Sequence, residues 1–180
     1  ARDIETKDLA VSHAFHSPLV RPMLEAFAEV AGRISYTSPR IKIVSNLTGE
    51  LVGEEICSPE YWCRHVREPV RFAAGMETLR QMGYETFVEI GPRPVLLGMG
   101  RQCLPEDVGT WLPSLRPQQD DWQQVLHSLG VLWVAGVDVD WSTFDEGYAR
   151  RKVALPTYPF QRQSYWVKKT MRSQRSPVEA

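Results

Sequence analysis

Leu24, Phe27, Ala28, Ala31 and Ile34 recur at helical spacing, with Glu25, Glu29 and Arg33 on the other faces. That spacing predicts an amphipathic helix ending near Gly32–Ser35. Ser17-Pro18 ahead of it is a start signal, a capping hydroxyl followed by a proline whose missing N–H the first turn does not need. Pro22 would interrupt a helix begun there, so the first turn is expected to be irregular. Ile41 to Ser45 reads as a strand closed by the turn Asn46-Leu47-Thr48-Gly49. Ser58-Pro59 repeats the start signal and opens a short helix through Trp62 and His65, which Pro69 stops. Phe72, Ala73, Met76 and Leu79 define a further helix, with Gly83 suited to a left-handed cap. Thr86 to Ile90 is the clearest strand, and Gly91-Pro92 turns it into a helix over Pro94 to Cys103. Trp111-Leu112 is a short strand candidate, and residues 8–11 read as the end of another.

Alternating helix and strand predict an α/β fold. Three or four strands before residue 115 are fewer than the roughly five or more of an open α/β domain. The pattern is therefore that of the back part of such a domain. After Ser114-Leu115-Arg116-Pro117 the character changes. Asp120 or Asp121 caps a helix striped with Trp122, Val125, Leu126, Leu129, Leu132 and Trp133. Val137 to Trp141 alternates as an exposed strand would. Pro156 and Pro159 exclude helix from the segment that follows, which predicts an extended, wrapping arm with aromatic anchors up to Trp166. Residues 168–180 are polar and expected to be a disordered tail.

Composition adds little to this picture. The 180 residues are 43% hydrophobic and 24% charged with a formal charge of −1, which provides no field for nucleic acid or an acidic membrane surface. No window approaches the roughly 20 apolar residues of a membrane span. Ala1-Arg2-Asp3-Ile4-Glu5 has no apolar core of a signal peptide. The cysteines Cys57, Cys63 and Cys103 are odd in number and lack metal-like spacing, as in a reducing compartment, and a cytoplasmic location is expected.

The candidate chemistry lies in Val11-Ser12-His13-Ala14-Phe15-His16-Ser17-Pro18, which holds two of the four histidines three residues apart. Three readings compete: packed or capping histidines; a metal pair, which needs a third ligand not evident nearby; or a base beside a nucleophile elsewhere, with an orienting group behind the ring.

Ser12 to Pro18 resembles the histidine motif of the acyltransferase domains of modular type I polyketide synthases. Further stretches are similar to the same family in the same order. They are Val44-Ser45-Asn46-Leu47-Thr48-Gly49, Tyr61-Trp62 with Pro69-Val70-Arg71-Phe72, and Glu89-Ile90-Gly91-Pro92 through Leu96, with Arg93 where many members carry His. Val139-Asp140-Trp141 and Leu155 to Arg162 through Tyr165-Trp166 resemble the linker that follows the acyltransferase. The likeness spans about residues 8–167.

The resemblance implies an α/β-hydrolase-like acyltransferase core whose C-terminal portion is residues 1–115, with 1–11 the end of a small subdomain. Residues 116–167 would be the post-acyltransferase linker, a helix and an extended wrapping arm. In the family a Ser–His dyad moves a malonyl-type unit from coenzyme A to the phosphopantetheine of an acyl carrier protein. By that resemblance His16 is the catalytic histidine, with no bound cofactor and no metal. His13 and Phe15 fall in the stretch that correlates with extender choice; His-Ala-Phe-His is the malonyl form, and methylmalonyl members usually show Tyr-Ala-Ser-His. The steric account is that Phe15 would crowd an α-methyl group. A backbone carbonyl orients the histidine in the family, and spacing from His16 and from Pro69-Val70 matches it to His65, where Gln is frequent.

The family's Gly-His-Ser-x-Gly nucleophile and substrate-gripping arginine precede the histidine. The chain is thus expected to supply the His but not the Ser. His127-Ser128-Leu129-Gly130 imitates the motif, but Leu126 replaces its first glycine and Ser128 falls mid-helix, where no strained strand-to-helix elbow can form. Implied partners are the upstream half of the acyltransferase domain, the ketosynthase and its linker, an acyl carrier protein and malonyl-CoA. The alternative is a catalytically inert interaction fragment docking on the ketosynthase–acyltransferase region.

Overall fold

The computed structural model describes Thr6 and residues 13–166. The expected strand at 8–11 and the tail at 168–180 lie outside the described residues. The chain divides into two compact units, Ala1–Asp138 and Val139–Ala180.

In the first unit Ser17 Oγ accepts the Leu19 N–H at 3.2 Å and opens a 3-10 helix, Pro18–Met23. Pro22 inside that segment cannot donate to the carbonyl four residues back, so the tighter form persists until α1 begins, Leu24–Ala31. Strand β1 (Ile43–Val44) pairs antiparallel with β2 (Leu51–Val52), Ile43 facing Val52 and Val44 facing Leu51. The return strand was not legible, because two residues carry no periodicity. Gly49 in the connecting turn has φ +80°, and a Cβ there would meet the Ala74 Cβ at 2.5 Å. Only glycine satisfies both the turn and that approach.

Ser58 Oγ accepts the Tyr61 N–H at 3.2 Å and starts α2 (Pro59–Arg67), which stops just before Pro69. Arg71 N–H donates to Asn46 O, 2.8 Å, tying the chain after Pro69 to the hairpin turn. Then comes α3 (Phe72–Gln81), closed by Gly83 at φ +81°. Leu47, Val52 and Tyr61 form a small buried core, with Ile43, Ile56 and Trp62 packed on it. It sits between the hairpin and α2.

Strand β3 (Thr86–Glu89), helix α4 (Val95–Cys103) and strand β4 (Thr110–Pro113) make a βαβ unit, with β3 and β4 parallel and Phe87 facing Trp111. The Glu89 carboxylate accepts the N–H groups of Val95, Leu96 and Leu97, occupying donors that a helix start leaves unpaired. Val88, Ile90, Val95, Leu96 and Met99 remain exposed, Ile90 to 83%.

Helix α5 (Asp121–Val134) is capped by Asp120, whose Oδ1 accepts the Gln123 N–H at 2.9 Å. The face it buries is not the one its tryptophans suggest. Gln124 and Ser128 are its buried residues, both donating to Pro113 O at the end of β4, while Trp122 and Trp133 lie on the exposed side.

The strand expected over Val137 to Trp141, which runs across the boundary of the two units, is absent. Asp140 accepts from Thr143 N and Thr143 Oγ1 at 3.0 and 2.7 Å and caps α6 (Trp141–Asp145) instead. A capping aspartate followed by a helix outweighs a short alternation of exposed residues. Residues 151–166 carry no helix or strand and are exposed, as their prolines require.

Candidate active site

His16 is held in the left-handed region, φ +58°, which costs a non-glycine residue about 1–3 kcal/mol and persists only where surroundings enforce it. The end of α2 does so. His16 N–H donates to Val66 O at 2.9 Å, and His16 Nδ1 lies 3.0 Å from Glu68 O. The last carbonyls of a helix lack partners within it. Glu68, pinned before Pro69, is extended (φ −82°, ψ 152°), so its carbonyl leaves the helix direction. Arg64 and Arg67 pair with the Glu68 carboxylate at 3.1 and 3.4 Å. The Arg64 hydrogen bond first, and the Arg67 one after it, hold that carboxyl below its usual range.

A carbonyl can only accept, so the neutral His16 ring carries its proton on Nδ1 and leaves the Nε2 lone pair for a base. Once Nε2 is protonated, the cation faces the negative end of α2.

The orienting carbonyl was expected from His65; the one that meets His16 belongs to Glu68. His65 lies inside α2, with its carbonyl directed along the helix, whereas Glu68 is the residue where the chain turns out. The signal that could have found it is the pre-proline position itself. What His65 brings to the site is its side chain, with ring centroids 5.8 Å from His16 and the planes 76° apart. Burial first, and the charge of His16 second, lower the His65 pKa.

His13 and Phe15 come together just before His16, ring centroids 5.9 Å apart, on an exposed turn. Among the described residues no three His, Cys, Asp or Glu side chains group as a metal site would need. Ser128 is 5% exposed and donates to Pro113 O at 2.8 Å, a structural latch within α5. Among the described residues no helix is long and apolar enough to cross a membrane.

The fold agrees with what comparison with known proteins finds. Residues 1–139 match the family described as acyl transferase domain. Polyketide synthase GfsA of Streptomyces halstedii is 45% identical over 169 residues, 92% of this chain but 2% of that protein. The spectinabilin polyketide synthase system protein NorB of Streptomyces orinoci is 44% identical over 169 residues, 91% of this chain and 8% of that protein. The crystal structure of the acyltransferase domain from the second module of the salinomycin polyketide synthase superposes with a TM-score of 0.75 at 44% identity, over 84% of this chain and 36% of that one. The chain belongs to the acyl transferase domain family, with the α/β fold of polyketide synthase acyltransferase domains. It spans a small fraction of the length of those synthases.

Proposed function

We propose that His16 is the general base of an acyltransferase that passes a malonyl unit from coenzyme A to the phosphopantetheine thiol of an acyl carrier protein. The nucleophilic serine would stand on a Gly-His-Ser-x-Gly segment outside this chain. His16 Nε2 takes the serine proton as the hydroxyl oxygen attacks the thioester carbonyl. The C–S bond then breaks, and the imidazolium returns that proton to the departing thiolate. In the second half His16 removes the proton of the carrier thiol as it attacks the acyl-serine ester, then protonates the serine oxygen. The ring alternates between two states, taking a proton in one step of each half and giving it up in the next.

The observation that carries this reading is the left-handed His16 clamped at N–H and Nδ1 by the end of α2. Exposed Val88, Ile90, Leu96 and Met99 support it, because an apolar face on a βαβ unit suits cover by further sheet and helix. Phe15, 51% exposed beside His13, is in this reading the wall that disfavours an α-methyl group. Residues 116–167 serve as the linker, and the ketosynthase with its own linker is the surface for the aromatic arm. That arm also favours the second reading, a docking fragment without catalysis, because Tyr158, Phe160, Tyr165 and Trp166 are all exposed.

Intact mass after incubation with malonyl-CoA separates the two. The chain is measured alone and together with a segment bearing Gly-His-Ser-x-Gly. Ester on that segment only, and only with His16 intact, is expected. Ester on this chain alone would overturn the proposal, and no ester in either mixture would favour the docking reading.

A further inference from the structure

We propose that the His65 side chain is a positioning residue for His16, fixing the plane in which His16 presents Nε2. The inference rests on the reading of His16 as the base. The Nδ1 hydrogen bond restrains the ring at one atom beyond its Cβ tether, and small coupled changes of χ1 and χ2 can still swing Nε2, so a second contact narrows its direction.

His65 supplies it. The two ring centroids are 5.8 Å apart with planes at 76°, the edge-to-face arrangement that aromatic pairs favour. His65 is itself braced. Its ring stacks on Tyr61 at 6.0 Å and 28°, and Trp62 packs at 5.6 Å. Tyr61 is buried, and its hydroxyl shares a 2.5 Å hydrogen bond with Ser45 Oγ. Ser45, 2% exposed and next to β1, also accepts the Leu47 N–H at 3.0 Å. The His16 plane is thereby referred through His65 and Tyr61 to the buried Ser45 beside β1. Burial and the nearby His16 charge both disfavour a proton on His65, so the brace stays neutral while His16 cycles.

The test compares His65→Gln and His65→Ala, which remove the ring, with His65→Phe, which keeps a ring that cannot titrate. In the 180-residue chain labelled with 13C-histidine, relaxation of the His16 ring C–H groups reports how firmly the ring is held. Wild type and His65→Phe should give a rigid ring, and both ringless variants a mobile one. In a polypeptide joining this chain to a Gly-His-Ser-x-Gly segment, the ringless variants should form malonyl ester about three- to tenfold more slowly at saturating malonyl-CoA. KM should stay unchanged, and Phe should restore the rate. An equally rigid His16 ring in the ringless variants overturns the inference, as does a rate loss that Phe does not restore. A His16→Ala variant that still forms ester at the normal rate overturns the catalytic reading instead, and leaves the relaxation result to stand by itself.

Discussion

The carbonyl of Glu68 stands 3.0 Å from Nδ1 of His16, 52 residues away along the chain. The contact joins the irregular turn before Pro18 to the end of α2, and it dictates which nitrogen of His16 is free. Its two ends are set by different prolines. Pro18 starts the 3-10 segment that leaves His16 just outside it, and Pro69 turns the Glu68 carbonyl outward.

His16→Asn should separate chemistry from folding. Asparagine tolerates the left-handed backbone far better than most residues, so the turn and its Val66 bond should survive. Malonyl ester formation in the joined polypeptide should fall by about 10²–10⁴-fold, the usual worth of a general base. The midpoint of thermal unfolding should fall only by the few degrees that loss of one hydrogen bond of about 1 kcal/mol allows. A loss below about tenfold would exclude His16 as the base.

Pro69→Ala should weaken the same site from the other side. Residue 68 is then free to adopt helical angles, and its carbonyl can turn into α2 and away from Nδ1. Losing one hydrogen bond of about 1 kcal/mol corresponds to roughly fivefold slower ester formation. The expected signature is a lower rate at saturating malonyl-CoA together with loss of the single Nδ1–H tautomer in 15N spectra of His16. An unchanged tautomer would show that Glu68 holds its conformation without the proline.

The parts of the fold legible in the sequence were those with a local cause. Ser17-Pro18, Ser58-Pro59 and Asp120 each announce a helix start, and each caps one. Gly83 announces a helix end and adopts the left-handed angle expected of it. The failures have physical reasons too. Leu51–Val52 is a strand only because it pairs with Ile43–Val44, a relation absent from its own residues. The α5 stripe was read by hydrophobicity, but Pro113 O, left at the end of β4, needed donors, and Gln124 and Ser128 supply them. At the site, His16 stands out only by resemblance to a known family. Its partner was misplaced by three residues because spacing along a helix does not say which carbonyl points outward.

Stability should fall as pH drops below about 6.5, the ordinary histidine value, because of His65. Its folded pKa is lowered by burial and then by His16, so the unfolded chain binds the proton more readily. The stabilising contribution is complete above the unfolded pKa and is lost as pH falls through the lowered folded value. Urea midpoints measured between pH 8 and 5 should decline in wild type and flatten in His65→Phe. Glu77 should not confuse this window: its hydrogen bonds with Arg80 and Gln81 lower its pKa from 4.5 to about 2, so its contribution fades only in stronger acid.

Ser128→Ala tests whether the imitation of a nucleophile motif carries any chemistry. Ser128 Oγ donates to Pro113 O at 2.8 Å and accepts from Gln124 Nε2 at 3.1 Å, with both side chains buried. Removing the hydroxyl leaves Pro113 O with the longer Gln124 bond alone, 3.3 Å, and takes one partner from the Gln124 amide. That should destabilise the first unit by about 1–2 kcal/mol, read as a lower urea midpoint with unchanged slope. Ester formation in the joined polypeptide should be unaffected, because the hydroxyl is committed to a backbone acceptor in mid-helix. A loss of ester with intact stability would make Ser128 the nucleophile and displace the mechanism proposed for His16.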